Sequence, residues 1–80
     1  MSEQDIIERF ELIFREVFDD ESLVISTGTT AADIEDWDSL AHINLLVAIE
    51  ENFSVSFSLE ELQTVKNVGE MVTLVARKVG

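Results

Sequence analysis

Residues 37–53 have the sequence WDSLAHINLLVAIEENF, and this stretch decides the fold. Asp38 is a preferred residue type for a helix N-cap, and the apolar residues that follow it recur at helical spacing. We therefore predict a helix from Ser39 to about Asn52. Its first turn presents the Ser39 hydroxyl directly after an acidic loop, in a chain that contains no cysteine. The hydroxyl is placed as an attachment point rather than as part of an active site.

The predicted helix has more apolar surface than one core-facing side requires. One stripe is expected to face the core and consists of Leu45, Leu46, Ile49 and Phe53. Further apolar residues extend around the cylinder, namely Leu40, Ile43, Val47 and Ala48. Either the helix is central in its bundle and buries every side, or part of this surface contacts another protein. The additional residues lie one and two turns after Ser39, which favours a docking surface.

Three more helices are predicted from apolar periodicity and capping signals. The first is expected from about Glu3 to Phe18, with a capping-box-like start at residues 2–5. A capping box at residues 58–61 predicts a short third helix. Asn67, followed three residues later by a glutamate, can start the fourth.

The connection between the first two helices, residues 19–38, is long for so small a domain. Residues 26–30 have the sequence STGTT and interrupt any helical pattern. We expect four apolar residues to anchor the loop on the bundle: Leu23, Ile25, Ile34 and Trp37. Val55 and Phe57 are predicted to be packed loop residues, since no second strand is available to pair with them. The expected fold class is therefore all-α, a small antiparallel four-helix bundle with a short third helix and a long loop between helices one and two.

Composition limits the chemistry that the chain can perform. With 80 residues, 46% of them hydrophobic, the chain has room for one small domain, 1–80, that folds alone. The absence of cysteine excludes disulfides, thiolate metal sites and cysteine nucleophiles. The first residues are acidic where a signal peptide would be basic, and no apolar run is long enough to span a membrane. The expected location is cytoplasmic.

The charge is concentrated in the middle of the chain. The formal net charge is −12, yet residues 16–65 contain no Lys or Arg and hold twelve of the acidic residues. Such a field repels nucleic acid and anionic lipid and attracts proteins with basic patches, within a Debye length of about 8 Å at physiological salt. Partners are therefore expected to be basic proteins, with no nucleic acid and no membrane among them. The alternative is that the acids only keep a small domain soluble.

Other kinds of site are not supported by the sequence. His42 is the only histidine and lies three residues after Ser39, but a base in that position has no third residue to orient it. A surface histidine is expected instead. The acids of the loop lack the glycine and glutamate spacing of an EF-hand, so no metal site is expected. Since no phosphate-binding loop or catalytic carboxylate pair can be placed, we predict that the protein is not an enzyme.

Several features along the chain together resemble one family. An acidic loop precedes Trp37-Asp38-Ser39-Leu40, the apolar helix ends in Glu50-Glu51-Asn52-Phe53, and the Val55/Phe57 pair, a short capped helix and Val-Gly-Glu-Met-Val follow. This composite resembles freestanding acyl carrier proteins over essentially the whole chain. The resemblance implies that Ser39 carries a covalent 4′-phosphopantetheine arm, derived from coenzyme A, whose terminal thiol holds acyl groups as thioesters. It also implies partners: a phosphopantetheinyl transferase and acyl-loading and acyl-processing enzymes with basic patches. The carrier is expected to be a monomer.

The physical chemistry around Ser39 agrees with that expectation. A phosphodiester there would lie beside unpaired backbone N–H groups and the positive end of the helix dipole. Asp38 would cap the helix and offer a charge to the transferase, with Glu35 and Asp36 helping to steer it. The expected partner-binding residues are Glu35, Asp36, Asp38, Leu40, Ile43, Asn44, Val47 and Glu51.

Two positions depart from the family pattern. Carriers of general fatty acid synthesis usually have an acid directly after the Asp-Ser-Leu triplet and another within the next turn, where this chain has Ala41 and Asn44. The departure favours a dedicated carrier in a polyketide, specialised fatty-acyl or small-acid pathway. Two alternatives stay open: an aminoacyl or peptidyl carrier, and an unmodified acidic helical adaptor that uses the same helix as a binding face.

Overall fold

The computed structural model describes residues 2–79, which form four α-helices. They are α1 (Glu3–Val17), α2 (Ser39–Phe53), α3 (Leu59–Thr64) and α4 (Val68–Val79). Within the described residues the only β-type pairing is an isolated bridge between Thr30 and Asn67. The prediction of an all-α fold with a short third helix and a long first loop is confirmed. None of the helices described is long and apolar enough to cross a membrane.

The helices begin where the capping residues predict. The side chains of Ser2 and Ser58 each accept a hydrogen bond from the backbone N–H three residues later. The acid at that later position accepts in return from the backbone N–H of the serine, which completes a capping box. Asp38 caps α2, and the side chain of Asn67 accepts a hydrogen bond from the backbone N–H of Glu70 at 2.8 Å. These bonds satisfy backbone donors that a helix start leaves without partners.

The ends of the first two helices differ slightly from the prediction. The first helix stops at Val17 because Asp19 takes a left-handed backbone conformation, with φ of 51°. The second continues through Phe53 and ends at Ser54, whose φ is 55°. Both polar residues tolerate this conformation better than a bulky apolar residue would.

The core lies where α1 packs against α2 and α4. All four members of the predicted core stripe of α2 are buried, which confirms its orientation. Of the predicted loop anchors, Ile25, Ile34 and Trp37 are buried and Leu23 is half-buried. Most of the remaining core comes from the first and the last helix, α1 and α4: Ile6, Phe10, Ile13, Phe14, Val68, Met71, Val72 and Val75.

Polar side chains of α1 hold the first part of the long loop. Arg15 donates from Nε to the carbonyl of Leu23 at 2.8 Å, and its guanidinium pairs with Glu11 at 2.9 Å. The other carboxylate oxygen of Glu11 accepts from the N–H of Ile25 at 3.2 Å. The loop is thus attached to α1 by hydrogen bonds to its backbone as well as by its apolar anchors.

Two half-buried contacts connect α3 and its preceding loop to the bundle. Lys78 on α4 pairs with Glu61 at 3.0 Å and lies over the ring of Phe57. The backbone N–H of Ser58, followed by the Lys78 ammonium, lowers the pKa of Glu61 below its ordinary value. Phe57 and Val55 are half-buried loop residues, as expected.

The second part of the loop pairs with the start of α4. The N–H of Val68 donates to the carbonyl of Thr29 at 2.9 Å, and the N–H of Gly69 donates to that of Thr27 at 2.8 Å. A loop backbone therefore supplies the acceptors that the first turn of a helix lacks. At this close approach a Cβ on Gly69 would lie only 2.9 Å from the Thr27 carbonyl oxygen.

Gly69→Ala is therefore expected to destabilise the protein by roughly 1–3 kcal/mol, the usual range for overpacking against a neighbour that cannot move freely. The gain in helix propensity, up to about 1 kcal/mol, is smaller and opposes this loss. Gly28→Ala is the matched control, because no atom lies within 4 Å of the position of its Cβ. Urea denaturation followed by circular dichroism measures both variants. Equal midpoints would show that the loop does not press on α4.

Candidate functional site

Asp38 and Ser39 form the start of α2. Asp38 has an extended backbone, and its Oδ1 accepts from the N–H of Ala41 at 2.8 Å, while its carbonyl accepts from the N–H of His42 at 2.9 Å. Ser39 is the first helical residue and is exposed. The N–H groups of Ser39 and Leu40 have no acceptor within the helix, as in the first turn of any helix. An exposed hydroxyl thus lies beside donors that favour an anion.

Trp37 fixes the end of the long loop immediately before the serine. Only 7% of its surface is exposed. Its ring meets Phe14 edge-on, with centroids 5.3 Å apart, and contacts Phe18 at 6.2 Å. The backbone N–H of Trp37 donates to the backbone carbonyl of Ile34 at 3.1 Å. The position of Ser39 is therefore set by a buried aromatic neighbour that packs on α1.

His42 is not the surface histidine that the sequence predicts. It is half-buried, and the Trp37 indole N–H donates to His42 Nδ1 at 3.1 Å. The two rings lie edge to edge and nearly coplanar, with centroids 5.9 Å apart and planes at 25°. The prediction was wrong because the periodicity of α2 cannot show which loop side chain covers its first turn. The only available signal was that the sole Trp and the sole His flank the same serine.

A groove of about 760 Å³ opens beside Ser39. The last residues of the long loop, one side of α2, and α3 with the segment after it form its walls. The lining residues are Ala31, Trp37, Asp38, Ser39, His42, Ile43, Leu46, Leu59, Leu62, Gln63, Val65 and Lys66. Most of these side chains are apolar. The sequence did not predict the groove, because one of its walls comes from α3 and the segment after it, about twenty residues from Ser39 along the chain.

Three apolar side chains of α2 face solvent and form what we call the exposed apolar face. Leu40 is 67% exposed, Ile43 56% and Val47 46%. A helix buried on every side is therefore the wrong alternative, although Ala48 is half-buried rather than part of this face. Asn44 is exposed on the same helix. The exposure of these residues is observed, and their contact with a partner stays a prediction.

The acidic residues near the site have different roles. Glu35, Asp36 and Glu51 are exposed, and so is Asp38, whose side chain also makes the cap. Other acids in the same part of the chain serve the fold. Asp33 accepts from the N–H of Thr30, and Glu50 accepts from the N–H of Phe57.

The predicted partner-binding residues do not form one compact cluster. Glu51 is twelve residues after Ser39 in the sequence, so at 1.5 Å per residue it lies roughly 18 Å along α2 from the serine. Glu35 and Asp36 lie at the opposite end, in the loop. A partner that reaches all of them must cover the length of the helix.

Comparison with known proteins gives two similarities. A family model described as phosphopantetheine attachment site matches residues 11–75, which include the long loop, α2 and α3. The chain is also similar to the holo acyl carrier protein from Geobacter metallireducens, whose structure was solved by NMR in solution. The two share 46% sequence identity with a TM-score of 0.85, and the match covers 91% of this chain and 84% of that chain.

Proposed function

The chain belongs to the acyl carrier protein family, and from this premise we propose that Ser39 is the residue that carries its 4′-phosphopantetheine arm. Members of this family are carriers rather than enzymes, and the arm is attached covalently. The observation that supports Ser39 most strongly is its position: an exposed hydroxyl on the first residue of α2. It lies within the matched residues 11–75.

The residues around Ser39 fit such a group. The free N–H groups of the first turn suit a phosphodiester anion, and the groove beside the serine offers mostly apolar walls. When bound, the arm supplies a terminal thiol that holds an acyl group as a thioester, which this cysteine-free chain cannot do by itself. Asp38 keeps the first turn helical by its bond to Ala41, so the backbone of Ser39 has a defined position at the start of the helix.

The arm can be tested directly by mass. Incubation of the wild-type protein with coenzyme A, Mg²⁺ and a broad-specificity phosphopantetheinyl transferase is expected to add one 4′-phosphopantetheine per chain. A protein that folds but keeps its original mass would instead support the unmodified adaptor, which would use the exposed apolar face alone.

Acyl carrier proteins interact with phosphopantetheinyl transferases and acyl-processing enzymes. On this chain the contact surface that we propose is the exposed apolar face with the acidic residues at both of its ends. Apolar contact would stabilise the docked complex, whereas Asp36 and Glu51 would act mainly on the rate of encounter with a basic partner.

The proposed pathway is a dedicated one, of polyketide or specialised fatty-acyl type. The support is that the first turn of α2 contains no acidic residue. Asn44, in the second turn, is exposed and uncharged. The acidic residues near this helix lie instead in the loop before it and in its last turn. Enzymes that require acids at the start of the helix would therefore bind this carrier less well.

Asp36→Lys and Glu51→Lys are each expected to lower the rate of arm addition several-fold at low salt, because a rim charge acts on association. The loss should fade as salt is raised, since the Debye length falls from about 10 Å at 0.1 M to about 3 Å at 1 M. The matched control is Glu8→Lys, which changes net charge equally at an exposed position on α1. Initial rates across a salt series measure the effect. Equal losses for all three variants would show that only net charge matters and would contradict this surface.

A further inference from the structure

The bond between Trp37 and His42 determines where the imidazole carries its proton. An indole N–H can only donate, so the nitrogen that receives it, His42 Nδ1, is an unprotonated acceptor. In the neutral ring the proton is then on Nε2. This chain has one Trp and one His, so no other pair can substitute for this contact. Trp37 therefore leaves His42 with a single free donor, the Nε2–H.

His42 lies on the same side of α2 as the serine, one turn after it. Residues three apart on a helix are neighbours, with Cβ atoms roughly 5–6 Å apart. Helical side chains lean toward the N-terminus of the helix, so His42 covers the turn that begins with Ser39. Both residues line the same groove. The hydrogen bond to the buried Trp37 restricts rotation of the imidazole.

We propose that His42 is a positioning residue for the prosthetic arm, whose Nε2–H donates a hydrogen bond to the phosphodiester on Ser39. The proposal rests on Ser39 as the attachment residue. It gives the phosphodiester a side-chain donor on the groove side, in addition to the backbone N–H groups of the first turn. The root of the arm is thereby directed along the groove instead of away from the protein.

Two charged residues line the same groove, and only one of them could replace His42 as a donor. Asp38 is acidic, and its Oδ1 already accepts from Ala41. Lys66 lines the groove from the segment between α3 and α4, and it is exposed. It is the alternative donor that an experiment must separate from His42.

The test uses the holo protein and ³¹P NMR of its phosphodiester, whose resonance responds to hydrogen bonds at the phosphate oxygens. His42→Phe keeps a planar aromatic ring but has no donor, and its ³¹P resonance is expected to move away from that of the wild type. His42→Gln restores an N–H donor and is expected to return the resonance toward the wild-type position. Asn52→Ala, on the last turn of α2, is the matched control and is expected to leave it unchanged.

A second measurement does not depend on the folding of a His42 variant. Long-range ¹H–¹⁵N spectra of the wild type at neutral to alkaline pH are expected to show the proton on Nε2. Trp37→Phe retains a ring but loses the indole donor, so a mixture of the two tautomers and a displaced ³¹P resonance are expected. A proton on Nδ1 in the wild type would overturn the proposal.

The outcomes separate this inference from the proposed function. A wild-type chain that gains no arm contradicts the proposed function itself. A chain that gains the arm but shows the same ³¹P resonance in the wild type and in folded His42→Phe contradicts only the role of His42. Displacement by Lys66→Gln without displacement by His42→Phe would assign the donor to Lys66 instead.

Discussion

Ser39→Ala is expected to abolish addition of the 4′-phosphopantetheine arm completely. The change removes the oxygen that would form the ester, and no neighbouring hydroxyl can take its position at the start of α2. The fold should be unaffected, because Asp38, not Ser39, caps the helix and the serine side chain is exposed. The free energy of unfolding is expected to stay within about 0.5 kcal/mol of the wild type, as for most surface substitutions.

The matched control for this loss is Ser56→Ala. Ser56 is exposed and lies in the loop between α2 and α3, so it tests whether the transferase modifies any accessible serine. Intact-protein mass after incubation with coenzyme A is the readout, with circular dichroism to compare helix content. An arm on Ser39→Ala, or loss of the arm in Ser56→Ala, would place the attachment elsewhere on the chain.

Local features of this fold were predictable because their causes are local. A helix cap needs a side-chain oxygen within three residues of the N–H that it accepts from, so Ser2, Asp38 and Ser58 are visible in the sequence. The core stripe of α2 follows from the helical period alone. The position of Ser39 at the start of α2 was predictable because it directly follows the capping residue Asp38.

Features that depend on distant parts of the chain were not predictable. The bonds from Val68 and Gly69 to the long loop join segments about forty residues apart, and neither side has a pattern that specifies the other. The side of α2 that lines the groove with α3 likewise depends on loops whose conformation the sequence does not reveal. His42 was therefore expected at the surface, although its hydrogen bond with Trp37 leaves it half-buried.

Charge alone also cannot separate structural acids from accessible ones. Asp33 and Asp36 lie in the same acidic loop, but the first accepts from the N–H of Thr30 and the second is exposed. Glu50 and Glu51 are adjacent, yet the helical turn of 100° per residue directs one to the loop before α3 and the other to solvent. Hence only some of the acids in the middle of the chain can act on a partner.

Phe53→Ala is expected to cost roughly 3–5 kcal/mol of unfolding free energy, the usual range when a buried aromatic is truncated. The Phe53 side chain is 8% exposed, its ring meets Phe10 edge-on at 5.7 Å, and the Arg9 guanidinium lies over it at 5.7 Å. A loss of this size is a large part of the 5–15 kcal/mol that typically stabilises a small domain. Urea denaturation followed by circular dichroism measures it.

Val47→Asp is expected to slow arm addition while leaving the stability of the fold nearly unchanged, the opposite of Phe53→Ala. Val47 is 46% exposed, so the new charge stays hydrated in the free protein, and unfolding free energy is expected to change by less than about 1 kcal/mol. In a docked complex the same charge would enter an apolar contact without a partner, so arm addition should slow at every salt concentration. Leu12→Asp is the control, because Leu12 is 63% exposed on α1, away from the proposed surface.

The two substitutions together test which way α2 faces. If Phe53→Ala unfolds the protein and Val47→Asp slows modification without unfolding it, the core stripe and the exposed apolar face have the roles assigned to them. A stable Phe53→Ala with an unfolded Val47→Asp would reverse the orientation of the helix. Equal slowing by Val47→Asp and Leu12→Asp would mean that an added acid anywhere weakens docking, because the exposed apolar face would then have no special role in partner contact.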